Sequence, residues 1–251
     1  MKIKQFLILS FFLFSIACKK NSNAVINTDW EQLSIDSTIP KNEKIIKIIT
    51  PYKSHLNNQL DSILCYNPKY LTRTDGPLES SLGNLMADIC FKKGNKVLKN
   101  QINKKADFIL LNYGGIRAPI PKGNITLKNA YKVMPFENEL VLVKLSGLKV
   151  KELLTYLFKS KNAHPISNIS LKLNNTSYQD VIINNRKFNE NKNYYILTSN
   201  YLQQGGDKMN FFKSPILLYS TKYKIRTALI DYFKETDTIK TELDNRFSYA
   251  K

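Results

Sequence analysis

The sequence has 251 residues, 43% of them hydrophobic, and 38 Lys and Arg against 20 Asp and Glu give a formal net charge of +18. This length suits one domain with a sizeable core or two small lobes. The lysines are scattered along the chain and no nucleic-acid-binding motif accompanies them. We therefore expect no nucleic-acid partner, while the positive charge favours anionic ligands such as nucleotides.

The N-terminus has the pattern of an export signal. A basic start at residues 1–4 precedes an apolar run at 6–14 that is too short to span a bilayer. The run ends at Ala17-Cys18, which resembles a bacterial lipobox although Ser15 replaces the usual leucine. We predict a lipoprotein signal peptide over residues 1–17 and a tether over 18–40. A plain secretory signal or an uncleaved anchor is the alternative.

Lipidation of Cys18 would give the protein a membrane contact through its lipid. The predicted location is then the bacterial cell envelope, as a membrane-anchored lipoprotein that is periplasmic or in the outer membrane. Cys65 and Cys90 would remain, and their pairing stays open in an oxidising compartment. Cys90 falls on the apolar stripe of a predicted helix, so we expect it to be a buried free thiol.

The first elements predicted after the tether are helices. Residues 44–52 and 56–64 carry enough apolar side chains for a helical region that breaks at Pro51. Residues 77–99 have apolar side chains at three- and four-residue spacing, which predicts a long amphipathic helix.

Shorter strands and helices then interleave irregularly, which indicates an α+β fold. We predict strands at residues 106–112, 140–145, 167–173, 181–183, 194–198 and 216–219. We predict helices at residues 126–131, 147–158 and 224–233, the first two capped by Thr126 and Ser146. Asn184-Asn185 is a turn signal, and the charged last residues are expected to fray.

One segment carries candidate ligand-binding groups. The apolar run at residues 108–111 leads directly into Asn112, Gly114, Gly115 and Arg117. The paired glycines permit a close backbone approach, and Arg117 is a forked cation suited to phosphate. An ordinary strand exit with a surface arginine is the alternative that these residues leave open.

Four segments, read in order, resemble the C-terminal, substrate-binding domain of the 5'-nucleotidase family. They are ESSLGNL at residues 79–85, NYGGIR at 112–117, PFEN at 135–138 and NYLQQGGD at 200–207. The resemblance runs from about residue 71 to residue 212. It implies a layered α+β domain over residues 41–251, with mixed sheets and flanking helices. In that family this domain holds the nucleoside, and a separate N-terminal two-metal phosphoesterase domain does the chemistry.

The resemblance also implies roles for individual residues. Phe136 and Tyr201 match the aromatic pair that clamps the base, although packing in the core is the usual fate of an aromatic ring. Asp207 matches the aspartate that accepts hydrogen bonds from the ribose hydroxyls. Asn112 and Asn138 match amides near the base. The remaining candidates are the ribose-phosphate cation Arg117 and the loop glycines Gly114, Gly115 and Gly206.

Glu79, Gly83 and Asn84 match a helix start in the family, where we expect a structural role. Three departures from the family pattern matter, and one is that the glycine pair often found after the central helix is absent near Ser167-Asn168. Leu78 stands where the family usually has an arginine, and Arg73 would substitute only if the backbone were rerouted. Lys208-Met209 replaces a glycine and an aromatic residue. Nucleoside recognition is therefore better preserved than phosphate recognition.

The sequence provides few residues for a metal centre. Its two histidines, His55 and His164, lie far apart without carboxylates at ligand spacing, so we expect them at the surface or in loops. We predict no metal and no cofactor in this chain. Hydrolysis would then need a metallophosphatase subunit that carries two divalent metals. A non-catalytic nucleotide-binding lipoprotein and a repurposed scaffold are the alternatives, and enzymatic activity stays open.

Overall fold

The computed structural model describes residues 28–250, so the predicted signal peptide and Cys18 lie outside the described residues. Contacts divide the chain into two units, residues 1–48 and 49–251. In the described part of the first unit, Asp36 Oδ1 accepts a hydrogen bond from the amide of Thr38 at 2.9 Å. Asn42 Oδ1 accepts one from the amide of Lys44 at 3.1 Å, at the start of helix α1 (Glu43–Leu60).

Helix α1 corrects two predictions. It contains Pro51 and continues through it, so the predicted break is wrong. None of its residues is buried, and water can bind the carbonyl that proline leaves without a partner. The helix also ends at Leu60, before the predicted limit at residue 64, because Ile63–Asn67 forms strand β1. There Ile63 pairs with Thr126 of a neighbouring strand.

The second unit holds the remaining elements. Its helices are α2 (Ser81–Ile102), α3 (Leu127–Val133), α4 (Gly147–Ser160), α5 (Asn200–Gln203) and α6 (Ile225–Glu235). Its strands after β1 are β2 (Phe108–Leu110), β3 (Gly123–Thr126), β4 (Glu139–Ser146), β5 (Ile166–Ser167), β6 (Ile169–Leu173), β7 (Tyr178–Ile183), β8 (Arg186–Lys187), β9 (Asn193–Ser199), β10 (Leu217–Lys224) and β11 (Phe247–Tyr249). The predicted α+β class is confirmed.

Three sheets organise this unit. The central sheet has five strands in the order β10-β4-β9-β2-β5, with β2 and β9 parallel and the other pairs antiparallel. A four-stranded sheet has the order β11-β6-β7-β8, and β1 pairs with β3 in a third. The sheets are therefore mixed, as predicted.

The central sheet separates two hydrophobic cores. Alternate residues of its strands point to opposite faces. Leu142 and Leu197 pack in the core that contains helices α2 and α6. Val143 and Ile196 pack in the core that contains helix α4 and the four-stranded sheet. Both faces are covered, which explains why β4 reads as an almost continuous apolar run.

The structure has helix caps and a turn at positions where the sequence carries serine or paired asparagines. Ser80 accepts a hydrogen bond from the amide of Gly83 and starts α2, while Ser146 accepts one from Lys149 and starts α4. Asn184 and Asn185 both have positive φ, 49° and 59°, in the turn between β7 and β8. Asparagine tolerates this left-handed conformation, so the predicted turn is confirmed.

The predicted fraying of the last residues is wrong. Strand β11 pairs in parallel with β6, and its Phe247 is fully buried. Arg246 forms ion pairs with Asp88 and Asp244, each at 2.7 Å. The charged residues of this segment, which suggested fraying, thus hold it in place through the ion pairs of Arg246.

The two cysteines of the described residues are free and buried. Cys90 lies in α2 as predicted, and burial raises its pKa. Burial also raises the pKa of Cys65 to about 11. Across residues 28–250, no helix combines the length and the apolar character that crossing a membrane requires.

Candidate functional site

The predicted site residues meet at one edge of the central sheet. Because β2 and β9 are parallel, both end at this edge, where they continue into Asn112 and Tyr201. Strand β4 is antiparallel to β9, so its start lies at the same edge, directly after Phe136 and Asn138. The topology therefore assembles three segments that are far apart in sequence.

These segments enclose a pocket of about 300 Å³. Eight of the nine predicted residues line it: Asn112, Gly114, Gly115, Arg117, Phe136, Asn138, Tyr201 and Asp207. The ninth, Gly206, lies beneath the ring of Tyr201. A Cβ atom at residue 206 would come within 2.5 Å of that ring, so any larger residue there would have to displace the ring.

Asp207 is the polar centre of the pocket. Its Oδ2 accepts a hydrogen bond from Asn112 Nδ2 at 2.7 Å, and its Oδ1 accepts one from the Tyr201 hydroxyl at 2.8 Å. A carboxylate has about four lone-pair positions, so each oxygen can accept one further donor. The backbone of Asp207 lies in the left-handed region, with φ 51°, a conformation that non-glycine residues seldom adopt.

The two residues after Asp207 shape the loop that carries it. Lys208 has φ 62°, a conformation that glycine would adopt without steric cost. Met209 is fully buried and packs in the core beside Phe211. Lys208 and Met209 thus give this loop a left-handed residue followed by an apolar anchor.

Two aromatic rings stay partly exposed at the pocket. Phe136 is 41% exposed and Tyr201 is 42% exposed, so neither has the core position that an aromatic ring usually takes. The guanidinium of Arg117 lies 5.8 Å from the centroid of the Phe136 ring. No ion pair of the described residues includes Arg117, which leaves its charge available to a ligand.

The hydrogen bond with Asp207 raises the pKa of Tyr201, because the phenol donates to a carboxylate. Burial raises the pKa of Tyr156, and the nearby negative charge of Asp207 adds to this. Tyr156 also donates a hydrogen bond to the backbone oxygen of Asp207 at 3.0 Å. Both phenols therefore stay protonated as donors at neutral pH.

Sequence reasoning missed the residues behind the pocket. His164 was expected at the surface or in a loop. It lies in a loop but is buried, and its Nδ1 accepts a hydrogen bond from the amide of Tyr113 at 3.2 Å. Burial lowers the pKa of His164 to about 4, so the imidazole is neutral and can accept. The signal in the sequence that could have indicated burial of His164 is its position directly before Pro165 and a buried strand. His55 is exposed, as predicted.

Two arginines also support the pocket from outside it. Arg73 donates to the backbone oxygen of Ile116 at 2.7 Å, and its guanidinium lies 4.5 Å from the ring centroid of Tyr113. Arg226 is buried and donates to the backbone oxygens of Pro135 and Phe136 at 3.0 and 3.3 Å. Arg73 does not line the pocket, so it stabilises the turn rather than replacing the missing cation at residue 78.

The expected structural residues lie away from the pocket. Glu79 accepts hydrogen bonds from Asn84 Nδ2 at 3.0 Å and from the amide of Asn245 at 2.8 Å. A Cβ atom at Gly83 would come within 2.6 Å of Ser80 Oγ, at the helix cap. Leu78 is fully buried in the core around α4. Their contacts fit the structural role predicted for Glu79, Gly83 and Asn84.

Within residues 28–250, no three His, Cys, Asp or Glu side chains are grouped so that they could hold a metal ion. The pocket lining offers one carboxylate, two side-chain amides, one phenol and one guanidinium. This donor set suits an uncharged or anionic organic ligand with a flat apolar part and hydroxyl groups.

Comparison with known proteins gives a consistent match. The domain description "5'-nucleotidase, C-terminal domain" matches residues 67–214. The chain is 27% identical over 208 residues to protein UshA of Yersinia enterocolitica, which covers 80% of this chain and 36% of the relative. It is 26% identical over 232 residues to the trifunctional nucleotide phosphoesterase protein YfkN of Bacillus subtilis, covering 80% and 15%. The chain thus spans about a third or less of the length of these relatives.

Solved structures show the same fold. The 5'-nucleotidase precursor from Thermus thermophilus superposes with a TM-score of 0.69 at 21% identity, over 84% of this chain and 44% of that one. The NAD nucleotidase of Haemophilus influenzae superposes with a TM-score of 0.58 at 21% identity, over 84% and 42%.

Proposed function

Since the chain belongs to the family of 5'-nucleotidase C-terminal domains, we propose that its pocket binds a nucleoside or nucleotide. The observation that carries this proposal is the pair of half-exposed rings, Phe136 and Tyr201, on a pocket whose polar centre is Asp207. A flat base between two rings would cover apolar surface that is otherwise in water. Base–aromatic stacking contributes about 1–3 kcal/mol per base.

The remaining groups have roles that follow from their chemistry. Each oxygen of Asp207 already accepts one hydrogen bond, and each can accept another from a vicinal diol such as that of ribose. Asn112 and Asn138 offer amides that can both donate and accept at a base edge. Arg117 provides the single cation of the pocket lining, suited to a phosphate.

A calorimetric titration with adenosine and AMP tests the proposal. We expect both to bind, and adenosine to bind no weaker than AMP, because Leu78 removes one phosphate-side cation. The variant Phe136→Ala with Tyr201→Ala should weaken adenosine by about 30-fold or more, since two stacking contacts are lost. The matched control, Tyr70→Ala with Tyr249→Ala, removes two exposed tyrosines outside the pocket lining. Equal affinity in both double variants would reject the clamp, and absence of binding in the parent protein would favour a repurposed scaffold.

We further propose that the protein supplies this clamp to a separate metallophosphatase subunit. The relatives named phosphoesterase or nucleotidase are longer than this chain, and residues 28–250 hold no candidate metal cluster. Mixing the two chains with AMP and a divalent metal should create phosphate release that neither chain shows alone. If the partner is fully active by itself, the alternative is a non-catalytic nucleotide-binding lipoprotein.

A further inference from the structure

A second cavity lies at the opposite edge of the central sheet. It has a volume of about 560 Å³, and we call it the lysine cavity. It is formed by the end of α2 and the following turn, through Lys92, Asn95, Lys96, Lys99, Asn103, Lys104 and Lys105. This turn precedes strand β2, whereas the pocket residue Asn112 follows it. The two cavities therefore lie at opposite ends of the same strand.

The lining of the lysine cavity is entirely cationic or amide. Five of its seven residues are exposed lysines and none is acidic. Among the ion pairs of residues 28–250, none includes these five lysines. Lys93 pairs with Glu235 at 2.5 Å and lowers the pKa of that carboxyl most, and Lys96 and Lys92 lower it further. Several positive charges thus share one carboxylate, and a bound anion would relieve their mutual repulsion.

The wall of the lysine cavity also contains an unused hydrogen-bond donor. Asn95 Oδ1 accepts the amide of Ala106 at 2.7 Å, which fixes the orientation of the side-chain amide. Its Nδ2 then lies buried and has no partner within the described chain. Buried donors without a partner are rare in native proteins. An acceptor that reached Asn95 Nδ2 from the lysine cavity would satisfy this donor.

We propose that the lysine cavity binds a multiply charged phosphate group. Phosphate oxygens only accept hydrogen bonds, which matches a lining of ammonium and amide donors. Lysine ammonium groups on flexible stems bind phosphate as point charges, without a fixed geometry. Several positive charges in one cavity favour an anion of two or more charges over a monovalent one. The several phosphate charges belong either to one free polyphosphate or to neighbouring anionic lipid headgroups, each of which carries a single charge in phosphatidylglycerol. The inference is independent of nucleoside binding at the pocket.

Titration with tripolyphosphate and co-sedimentation with vesicles of phosphatidylglycerol or phosphatidylcholine separate these sources. The test variant changes all five lining lysines to glutamine. The matched control changes Lys69, Lys122, Lys159, Lys187 and Lys192 to glutamine, so both variants lose the same charge from exposed positions. We expect the test variant to weaken binding about tenfold or more relative to the control, since charge-assisted contacts are lost.

A difference with tripolyphosphate assigns a free phosphate ligand, and a difference only with phosphatidylglycerol vesicles assigns a lipid headgroup. Equal behaviour of the two variants with both probes overturns the proposal. The single variant Asn95→Asp adds a second test, because it keeps an acceptor for the amide of Ala106 and replaces the donor by a carboxylate. It should weaken the same ligand about tenfold. Thermal unfolding verifies that each variant is folded.

Discussion

The two edges of the central sheet present their polar groups in different ways. At the pocket edge the polar groups are already connected, since Asp207 holds both Asn112 and Tyr201 in a fixed arrangement. At the opposite edge the lysines have no ion-pair partners among the described residues, and they share only their charge. A connected site selects by shape because its groups are oriented before the ligand arrives. A charged cavity selects by charge, and its contacts weaken with salt.

The largest effect should come from breaking the shape of the pocket edge alone. In Gly206→Val, the Cβ atom would approach the Tyr201 ring within 2.5 Å and displace it. Both the ring contact and the hydrogen bond with Asp207 would be lost, so adenosine should bind about 100-fold weaker. Isothermal calorimetry measures this. Tripolyphosphate binding should be unchanged, and a parallel loss of both ligands would show that the edges are not independent.

The buried His164 behind the pocket should make the stability of the protein depend on pH. Its pKa is about 4 in the folded protein because of burial, against about 6.5 in an unfolded chain. The unfolded state therefore binds more protons between these values, so stability is constant above about pH 6.5 and falls towards pH 4. The loss from this group amounts to about 3 kcal/mol.

Urea unfolding between pH 7 and pH 4 measures this loss. His164→Gln keeps an acceptor for the amide of Tyr113 and removes the titration, so its stability should fall less over this range than that of the parent. The control His55→Gln changes an exposed histidine and should keep the parent profile. A steep fall that persists in His164→Gln would mean that other groups dominate the acid sensitivity.

A smaller loss of adenosine affinity should follow from removing the charge of Asp207, the proposed partner of the ribose diol. Asp207→Asn keeps the shape of the side chain and removes its charge, so adenosine should bind more weakly by about 1.5–3 kcal/mol. Replacing adenosine by 2',3'-dideoxyadenosine should cost the parent protein a similar amount. It should cost the variant much less, because the partner of the diol is already gone. The cycle compares the parent and Asp207→Asn with adenosine and with 2',3'-dideoxyadenosine. If the two losses of binding free energy are additive, the sugar hydroxyls do not contact Asp207.

The sequence alone predicted the pocket better than its surroundings. Residues that line the pocket, such as Phe136 and Asp207, lie in short contiguous motifs that can be read directly. The supporting residues His164 and Arg226 act through backbone contacts with residues far away in sequence, and no local pattern marks such contacts. The lysine cavity was missed for the same reason, since Lys92 and Lys105 come together only through the turn after α2.

Element types were predictable where periodicity or caps were clear, as in α2 and at Ser146. The errors at Pro51 and at strand β11 have opposite physical causes. Proline lowers helix propensity, but an exposed helix tolerates the missing hydrogen bond. Charged residues favour fraying, but Arg246 finds Asp88 across the fold.

The contacts of strand β11 also determine when the domain can fold. Asn245 bonds to Glu79 and Arg246 pairs with Asp88, which closes loops of about 160 residues. Contacts of such long range form late, because the entropy of closing the loop opposes them until other structure has formed. During synthesis, Glu79 and Asp88 therefore cannot form these contacts until Asn245 and Arg246 have been made, which is after nearly the whole domain. Until then the apolar face of α2 depends on its nearer neighbours, and a ribosome-bound chain that lacks residues 244–249 should be the most protease-sensitive long intermediate.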